Sequence, residues 1–323
     1  MSADDDSAGL GTRPRASIVI PTFRRTGPLR ELLESLVPEA ASDDFEVVLA
    51  DDGSGDEIAR LADELAPRFR RLRLVTGENA GPGVARNRGV AAAAADVLLF
   101  VDSDCLAEPG WARTLAAAVE GGAAIAFGPT RSAVPALEPF VHSIVSEGEL
   151  YTFTNVGVAR AVFERLGGFR PEVSRVAEDR DFFARARAAG LEFTYVPGAV
   201  INHPPRPREI RFSDLWNPWP AFRDMATYYE SRPEARPRVV EKNRDLLRKG
   251  AIKLAVAAMP FGLPALVAHS FYRRHQVNRQ LEAAGVAFRV PANAALKYGL
   301  LQPALDLVQL ARRARAGFGW LRP

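Results

Sequence analysis

The sequence contains a single cysteine, Cys105, among its 323 residues. One cysteine excludes an intramolecular disulfide and argues against the disulfide framework of a small secreted protein. The first fifteen residues include three consecutive aspartates and no apolar run, which is not the pattern of a signal or transit peptide. We therefore expect residues 1–15 to be a disordered tail and the protein to be cytoplasmic.

Long hydrophobic runs are also lacking. Residues 254–268 are uncharged, but Pro260, Gly262 and Pro264 interrupt them, and a membrane-spanning helix needs about 20 apolar residues. This segment predicts an interfacial helix pair or a re-entrant hairpin, with a buried helical hairpin as the alternative. A leucine-rich stripe over residues 300–310 precedes three arginines within residues 312–315. That pattern is typical of a helix at a membrane surface and equally of an ordinary amphipathic helix.

Basic residues are distributed unevenly along the chain. Residues 1–203 contain 21 arginines and no lysine against 30 acidic residues, whereas residues 204–323 contain 21 basic residues against 9 acidic ones. This asymmetry indicates two parts with different partners. No nucleic-acid-binding motif is visible in the basic part, so we expect no nucleic acid partner. We favour an anionic membrane surface, with peripheral attachment at its cytoplasmic face.

Short apolar segments alternate with helical patterns in the first hundred residues. The segments that predict strands are 16–21, 45–50, 72–75 and 97–101, and the helices begin near Thr26, Ser54 and Gly83. Ser54 and Glu57 have the spacing of a capping box, which would start the second helix at Ser54. The alternation predicts right-handed βαβ units and an α/β fold with a mostly parallel sheet flanked by helices.

Acidic pairs follow two of the predicted strands: Asp51-Asp52, and Asp102 with Asp104. Ligands of such sheets bind at the carboxyl ends of the strands, so both pairs should lie at one edge. Two carboxylates this close repel each other unless a cation lies between them, and oxygen ligands suit Mg²⁺ or Mn²⁺. The alternative is a plain turn, since Asp, Ser, Pro and Gly are all common in loops.

A glycine-rich loop is missing after the first predicted strand, where the residues are Pro21-Thr22-Phe23-Arg24-Arg25. A dinucleotide-binding domain would carry Gly-x-Gly-x-x-Gly at this point. Its absence argues against a nicotinamide or flavin domain and against a P-loop. It also argues against a sugar nucleotidyltransferase, which would need such a loop with a lysine.

A set of motifs over about residues 16–203 resembles the family 2 glycosyltransferases of the GT-A fold. The motifs are Ile18–Phe23, Ala50–Ser54, Asn79–Gly81, Ala85–Gly89, Val101–Asp104, Asn155–Gly157, Gly167–Phe169, Glu178–Asp181 and Val200–His203. The resemblance implies a GT-A catalytic domain over residues 16–205. Residues 206–323 would then form a basic, mostly helical C-terminal region that could associate with a membrane.

The resemblance also implies a role for each motif. Nucleotide and donor binding would fall to Pro21, Thr22, Arg24, Asp51, Asp52, Arg86, Asp102 and Asn155, with Arg88 as the alternative to Arg86. Acceptor binding would fall to Gly168 and Phe169. Asp102, Asp104 and His203 would hold Mg²⁺ or Mn²⁺. Cys105 is interpreted as a small apolar side chain that fills space in the core. Asp179 would be the general base beside Glu178, although acids in a first helical turn also act as caps.

These roles imply a metal-dependent, inverting glycosyltransferase that moves a sugar from a nucleotide-sugar donor to a hydroxyl acceptor. A glycan or a lipid-linked acceptor of the cell envelope is the expected class. The alternatives are an inactive, glycosyltransferase-like scaffold protein and a sugar nucleotidyltransferase of similar fold. The presence of Asp102, Asp104 and Asp179 argues against the first, and the missing glycine-rich loop argues against the second.

Overall fold

The computed structural model describes residues 13–42, 44–134, 141–142, 144–146, 148, 152–173, 177–207 and 262–300. These residues divide into two compact units. The first contains the described residues up to Arg131 together with residues 145–203, and the second contains residues 132–144 and the described residues from Pro204 onward. The predicted domain boundary at residues 205–206 stays a prediction.

The first unit contains a seven-stranded sheet and six helices in its described residues. Its elements in chain order are β1 (Ala16–Thr22), α1 (Thr26–Ser42), β2 (Phe45–Asp51), α2 (Asp56–Leu65), β3 (Leu72–Thr76), α3 (Pro82–Ala92), β4 (Val97–Val101), β5 (Leu106–Ala107), α4 (Trp111–Glu120), β6 (Ile125–Phe127), β7 (Thr130–Arg131), β9 (Asn155–Ala159), α5 (Arg160–Arg165), α6 (Glu178–Ala188), β10 (Phe193–Tyr195) and β11 (Ile201–Asn202). Short 3₁₀ turns occupy Ala66–Arg68 and Pro171–Val173.

The strand order of the main sheet is β10-β6-β9-β4-β1-β2-β3. Strands β4, β1, β2 and β3 run parallel to one another, as do β6 and β10, whereas β9 runs antiparallel to both β4 and β6. Every residue of β1, β2 and β4 is buried, which accounts for their nearly continuous apolar sequences. The predicted mostly parallel sheet flanked by helices is confirmed.

A second, three-stranded sheet lies beyond the end of β4, in the order β5-β11-β7. Strand β11 pairs antiparallel with β5 and parallel with β7. The antiparallel register places Ile201 opposite Ala107 and Asn202 opposite Leu106. One step further along this register, His203 faces Cys105, so the small sheet brings the end of β11 to the acidic loop that follows β4.

Helix α3 lies unusually close to the main sheet. A Cβ atom on Gly89 would lie 2.6 Å from Cγ1 of Val19 in β1 and 3.2 Å from Cβ of Ala50 in β2. Such distances leave room for glycine alone without a shift of the helix. The close approach places Arg86, one turn earlier in α3, near the carboxyl ends of these strands.

The capping box predicted at Ser54 is wrong. Helix α2 begins at Asp56 after Gly55, which has a φ of +89°, and no side chain caps the helix. The Ser54 hydroxyl instead accepts a hydrogen bond from the Arg24 N–H over 2.8 Å. Ser54 therefore ties the loop after β1 to the loop after β2, a long-range contact that local spacing does not reveal.

The second unit contains β8 (Val141–His142), β12 (Arg206–Pro207) and α7 (Gly262–Ala283) in its described residues, and residues 292–300 are also helical. Strands β8 and β12 pair antiparallel. Side chains of α7 and of the segment after it bury a small apolar cluster: Val134, Val277, Leu281, Val290 and Ala295. The described residues of the C-terminal region are mostly helical, as expected.

The interrupted apolar segment 254–268 lies outside the described residues as far as residue 261. From Gly262 onward it is the start of α7, which continues for 22 residues. Gly262 and Pro264 are both residues of this helix. Within the part of the chain that the structure describes, no helix combines the length and the apolar character that a membrane span requires. The stripe predicted near the C-terminus lies outside the described residues from residue 301.

Candidate active site

Arg86, in the first half of α3, is a buried cation surrounded by carboxylates. Only 3% of its side chain is exposed. Its Nη2 lies 2.8 Å from Asp102 Oδ1, and its Nη1 lies 3.3 Å from Asp179 Oδ1 and 3.4 Å from Glu178 Oε1. Asp102 directly follows β4, and Glu178 and Asp179 begin α6. The structure therefore brings four of the predicted site residues into one cluster.

Two further hydrogen bonds orient the aspartates of this Arg86 cluster. The Thr154 hydroxyl donates to Asp102 Oδ2 over 2.9 Å, and the Phe153 N–H donates to Asp179 Oδ2 over 3.0 Å. Both donors immediately precede β9, which pairs with β4. Neither Phe153 nor Thr154 is among the residues predicted for the site. Their position just before the Asn155–Gly157 motif is the signal that points to them.

Aromatic rings cover the other side of the Arg86 guanidinium. Its central carbon lies 5.7 Å from the ring centroid of Phe153 and 5.5 Å from that of Phe169, within the range of a cation–π contact. Phe169 is 1% exposed and packs edge-to-face on Phe153. Its ring therefore supports Arg86 from the core, and its predicted role in acceptor binding stays a prediction.

Gly168, the other predicted acceptor residue, has a φ of +61°, and a Cβ on it would lie 2.7 Å from Asn87 Oδ1. The Asn87 amide in turn bonds both the N–H and the carbonyl of Phe169, over 2.9 and 2.7 Å. A glycine at position 168 lets this loop dock against α3. The predicted contact of Gly168 with an acceptor stays a prediction.

The Arg86 cluster contains one cation against three carboxylates, and its pKa values reflect that imbalance. Burial, and then the neighbouring Asp179 carboxylate, raise the pKa of Glu178 to about 8, with Arg86 acting in the opposite direction. Burial also raises the pKa of Asp179; Arg86 lowers it and Asp102 raises it further. Burial disfavours the charged form of Arg86, but the three carboxylates outweigh this effect and raise its pKa. At neutral pH a proton on Glu178 therefore offsets part of this surplus of carboxylates.

The second aspartate of the motif, Asp104, belongs to a different group of side chains. Arg25, in the loop after β1, forms an ion pair with it. His203, just after β11, has its Nε2 3.8 Å from Asp104 Oδ1. The ligand atoms of Asp104, Cys105 and His203 all lie within 4.8 Å of one another. Of the three predicted metal ligands, Asp104 and His203 thus meet, whereas Asp102 pairs with Arg86.

The acidic pair after β2 is buried and bonded to main-chain N–H groups. Both oxygens of Asp51 face the N–H of Ser54, at 3.2 and 3.1 Å. Asp52 accepts one hydrogen bond on each oxygen, from the N–H groups of Ala80 and Gly81, both at 2.9 Å. Asp52 therefore anchors the loop that leads into α3. Among the described residues, the Asp51 carboxylate accepts from one donor, the Ser54 N–H, and it keeps more acceptor capacity because an ionised carboxylate can accept about four hydrogen bonds.

The loop after β1 lies beside this acidic turn. Pro21 and Thr22 are the buried last residues of β1, paired with Ala50 and Asp51. The Thr22 hydroxyl is buried and has no hydrogen-bond partner among the described residues. Arg24 has a φ of 54°, an unusual value for a residue other than glycine, and its guanidinium carbon lies 4.9 Å from the Phe23 ring centroid. The predicted nucleotide residues of the two loops are thus adjacent.

Asn155 is the first residue of β9, and its side-chain amide makes three hydrogen bonds. It accepts a hydrogen bond from the Trp111 indole over 2.8 Å and donates to the carbonyls of Pro129 and Ala199 over 2.9 and 2.7 Å. These bonds join β9 to α4 and to the loops that flank the small sheet. Contact between Asn155 and a donor stays a prediction.

Arg88, the alternative to Arg86, has a different task. It donates to the carbonyls of Asp51 and Glu78, over 2.8 and 3.4 Å. Its guanidinium lies against Gly77, where an added Cβ would be 2.2 Å away. Arg88 therefore holds the loop between β3 and α3, and of the two arginines Arg86 is the one among the acidic residues.

The family model described as glycosyl transferase family 2 matches residues 17–193. A validoxylamine A glucosyltransferase of Streptomyces hygroscopicus subsp. jinggangensis is 38% identical over 113 residues, which cover 34% of this chain and 26% of that protein. The glycosyltransferase AglE of Haloferax volcanii is 24% identical over 210 residues, covering 61% of this chain and 69% of AglE.

Among solved structures, S. aureus TarS 1–349 in complex with UDP-GlcNAc matches with a TM-score of 0.50 and 17% identity, over 94% of this chain and 91% of that one. This likeness shows a shared GT-A fold. The chain spans only about a quarter to a third of the length of the first curated relatives that it matches.

The raised pKa of Glu178 predicts a pH-dependent effect of the Glu178→Gln substitution. The unfolded chain loses this proton near pH 4.5 and the folded chain near pH 8, so the wild-type glutamate costs stability progressively between these values. Thermal melts of the nucleotide-free protein should therefore show the melting temperature of the variant rising relative to wild type from pH 5 to pH 8. A difference in melting temperature that does not change with pH would contradict the raised pKa.

Proposed function

The chain belongs to glycosyl transferase family 2, and from this premise we propose that it transfers a sugar from a nucleotide-sugar donor to a hydroxyl acceptor with inversion at the anomeric carbon. The observation that carries the proposal is the Arg86 cluster. It joins the strand-end aspartate Asp102 to the acids that begin α6 through a single buried cation. Such a transfer needs a group that binds the donor next to a group that acts as the base. In the proposal, Asp102 at the end of β4 is the first and Asp179 at the start of α6 is the second.

The nucleoside of the donor would bind between the loops after β1 and β2. Thr22 offers a buried hydroxyl, and Asp51 has acceptor capacity for a base or ribose donor. The Arg24 N–H donates a hydrogen bond to the Ser54 hydroxyl, which fixes the backbone of Arg24 at the edge of this region. The UDP-GlcNAc named with TarS supports a uridine nucleotide as the first donor class to test.

The residues after β4 fit a divalent cation, Mg²⁺ or Mn²⁺. Asp104 and His203 are buried, lie together at the carboxyl edge of the sheet and offer an oxygen and a nitrogen ligand. Asp102, which pairs with Arg86, would lie beside the diphosphate. When bound, the cation would supply positive charge for the departing nucleoside diphosphate.

Asp179 is the proposed general base that takes the proton of the acceptor hydroxyl. Its side chain is 18% exposed, against 8% for Glu178, so it is the more accessible of the two. Burial raises the pKa of its carboxyl group, which makes the carboxylate a stronger base, and the Phe153 N–H holds one oxygen in place. Arg86 steadies the other oxygen and would contribute positive charge beside the diphosphate.

A base that acts on the acceptor while the diphosphate departs from the opposite face implies a single displacement, and hence inversion. Transfer then consists of one bond formed between the acceptor oxygen and the anomeric carbon and one bond broken to the diphosphate. The proton passes from the acceptor hydroxyl to Asp179. No covalent sugar–enzyme intermediate is required.

The proposed acceptor is a glycan or a lipid-linked sugar of the cell envelope, reached at the cytoplasmic face of a membrane. The support is the excess of basic residues, 21 against 9 acidic ones, in residues 204–323. Basic residues near an anionic surface each add about 1 kcal/mol of attraction. This part of the proposal is independent of the chemistry at Asp179.

We expect Asp179→Asn to lower the rate of transfer by about 10²–10⁴-fold, the usual contribution of a general base, while UDP affinity stays nearly unchanged. The rate is measured as UDP released from UDP-sugars with a membrane-lipid extract as acceptor source, and the affinity by calorimetry. Asp56→Asn is the matched control, because Asp56 is an exposed first-turn acid of α2. Full turnover in the Asp179 variant would remove it as the base.

We expect the protein to float with vesicles that contain phosphatidylglycerol at low salt and to be released at high salt, because screening weakens charge attraction. Vesicles of phosphatidylcholine alone should not carry it. Replacing Arg312, Arg313 and Arg315 together by glutamine should weaken binding by about a hundredfold if they face the membrane. Failure to float with anionic vesicles at either salt would contradict the membrane proposal.

A further inference from the structure

The cysteine of the chain lies where a third metal ligand would be needed. Cys105 is fully buried and follows Asp104 directly. Its N–H donates to the carbonyl of Asp102 over 3.1 Å, which closes a turn and brings the side chains of residues 104 and 105 to adjacent positions. The antiparallel register of β5 and β11 then delivers His203 opposite Cys105. Carboxylate, thiol and imidazole thus converge from two separate parts of the chain.

The distances suit a shared ion. One oxygen of Asp104, the sulfur of Cys105 and one nitrogen of His203 all lie within 4.8 Å of one another. Ligands of a tetrahedral zinc ion bind at about 2.0–2.3 Å, so their atoms lie roughly 3–4 Å apart. Small side-chain rotations would bring the three atoms to that spacing. Three protein ligands with a free position are also the pattern of a catalytic rather than a structural zinc-type site.

The charges suit a divalent ion as well. Asp104 and a neutral histidine supply one negative charge, whereas Asp104, a thiolate and a histidine supply two. Asp104 is at present paired with Arg25, whose side chain is 54% exposed. Arg25 can move into solvent when a metal ion takes its place, which opens a path to the otherwise buried ligands.

We propose that Cys105 is a protein ligand of the divalent-cation site, together with Asp104 and His203, and that the site therefore prefers Zn²⁺ or Co²⁺ to Mg²⁺. This inference rests on the proposed function only in placing a cation at this edge of the sheet. Thiolate is a soft ligand that favours zinc and cobalt over magnesium, which binds oxygen. A site with a thiolate ligand would therefore bind Zn²⁺ or Co²⁺ more tightly than a site built from oxygen ligands alone.

The single cysteine makes a direct test available. Co²⁺ bound by a thiolate shows a sulfur-to-cobalt charge-transfer band in the near ultraviolet, and Cys105 is the only thiol that can produce it. We expect the untagged, metal-free full-length chain titrated with Co²⁺ to develop this band at one equivalent. An excess of Zn²⁺ should abolish the band, whereas the same excess of Mg²⁺ should leave it in place.

Cys105→Ser should lose the charge-transfer band, and Asp104→Asn and His203→Gln should weaken it by lowering the cobalt affinity. Circular dichroism of each variant without metal checks folding, and the wild-type titration alone still tests the proposal if a variant does not fold. Absence of the band in the wild-type chain would overturn the inference, as would its persistence at full strength in both Asp104→Asn and His203→Gln. A missing band together with Mn²⁺-dependent UDP binding would refute the thiolate ligand and leave the proposed function standing. The charge-transfer band in a protein that transfers no sugar would support the thiolate ligand and refute the proposed function.

Discussion

The site depends on the burial of one guanidinium among three carboxylates. Neither side could be buried alone, because a buried charge without a partner is strongly unfavourable. Arg86 is held by α3, Asp102 by the end of β4, and Glu178 and Asp179 by the start of α6. The phenylalanines at positions 153 and 169 keep water from the guanidinium's other face. The cluster thus fixes how α6 approaches the edge of the sheet.

The same charge balance explains why the two aspartates of the motif lie in different groups. Asp102 and Asp104 each pair with an arginine, Arg86 for the first and Arg25 for the second. Arg86 is 3% exposed and Arg25 is 54% exposed, so the first pair is part of the core and the second can be exchanged. In our account a divalent cation would replace Arg25 beside Asp104. Arg86 would hold Asp102 and Asp179 in position near this cation.

Much of this arrangement follows from local sequence patterns, and some of it does not. Apolar runs that end in acidic residues predict β2, β4 and the edge of the sheet at which their aspartates lie, because strand burial and strand direction are encoded locally. The partners of those carboxylates come from distant segments. Nothing near Ser54 indicates that it bonds Arg24 rather than capping α2, and nothing near Cys105 indicates that β11 brings His203 to it. Periodicity alone also does not predict the antiparallel strand β9. The residues that immediately precede this strand bind Asp102 and Asp179.

The most direct test of the account is a calorimetric titration of the purified chain with UDP, first with Mn²⁺ and then with an excess of chelator. We predict tight binding with Mn²⁺ that collapses with the chelator, because in our proposal Asp104 and His203 would hold a cation beside the diphosphate. GDP and dTDP under the same conditions would identify the base that the loops after β1 and β2 accept. Binding of UDP that is unchanged by the chelator, or no binding of any nucleotide, would contradict the account.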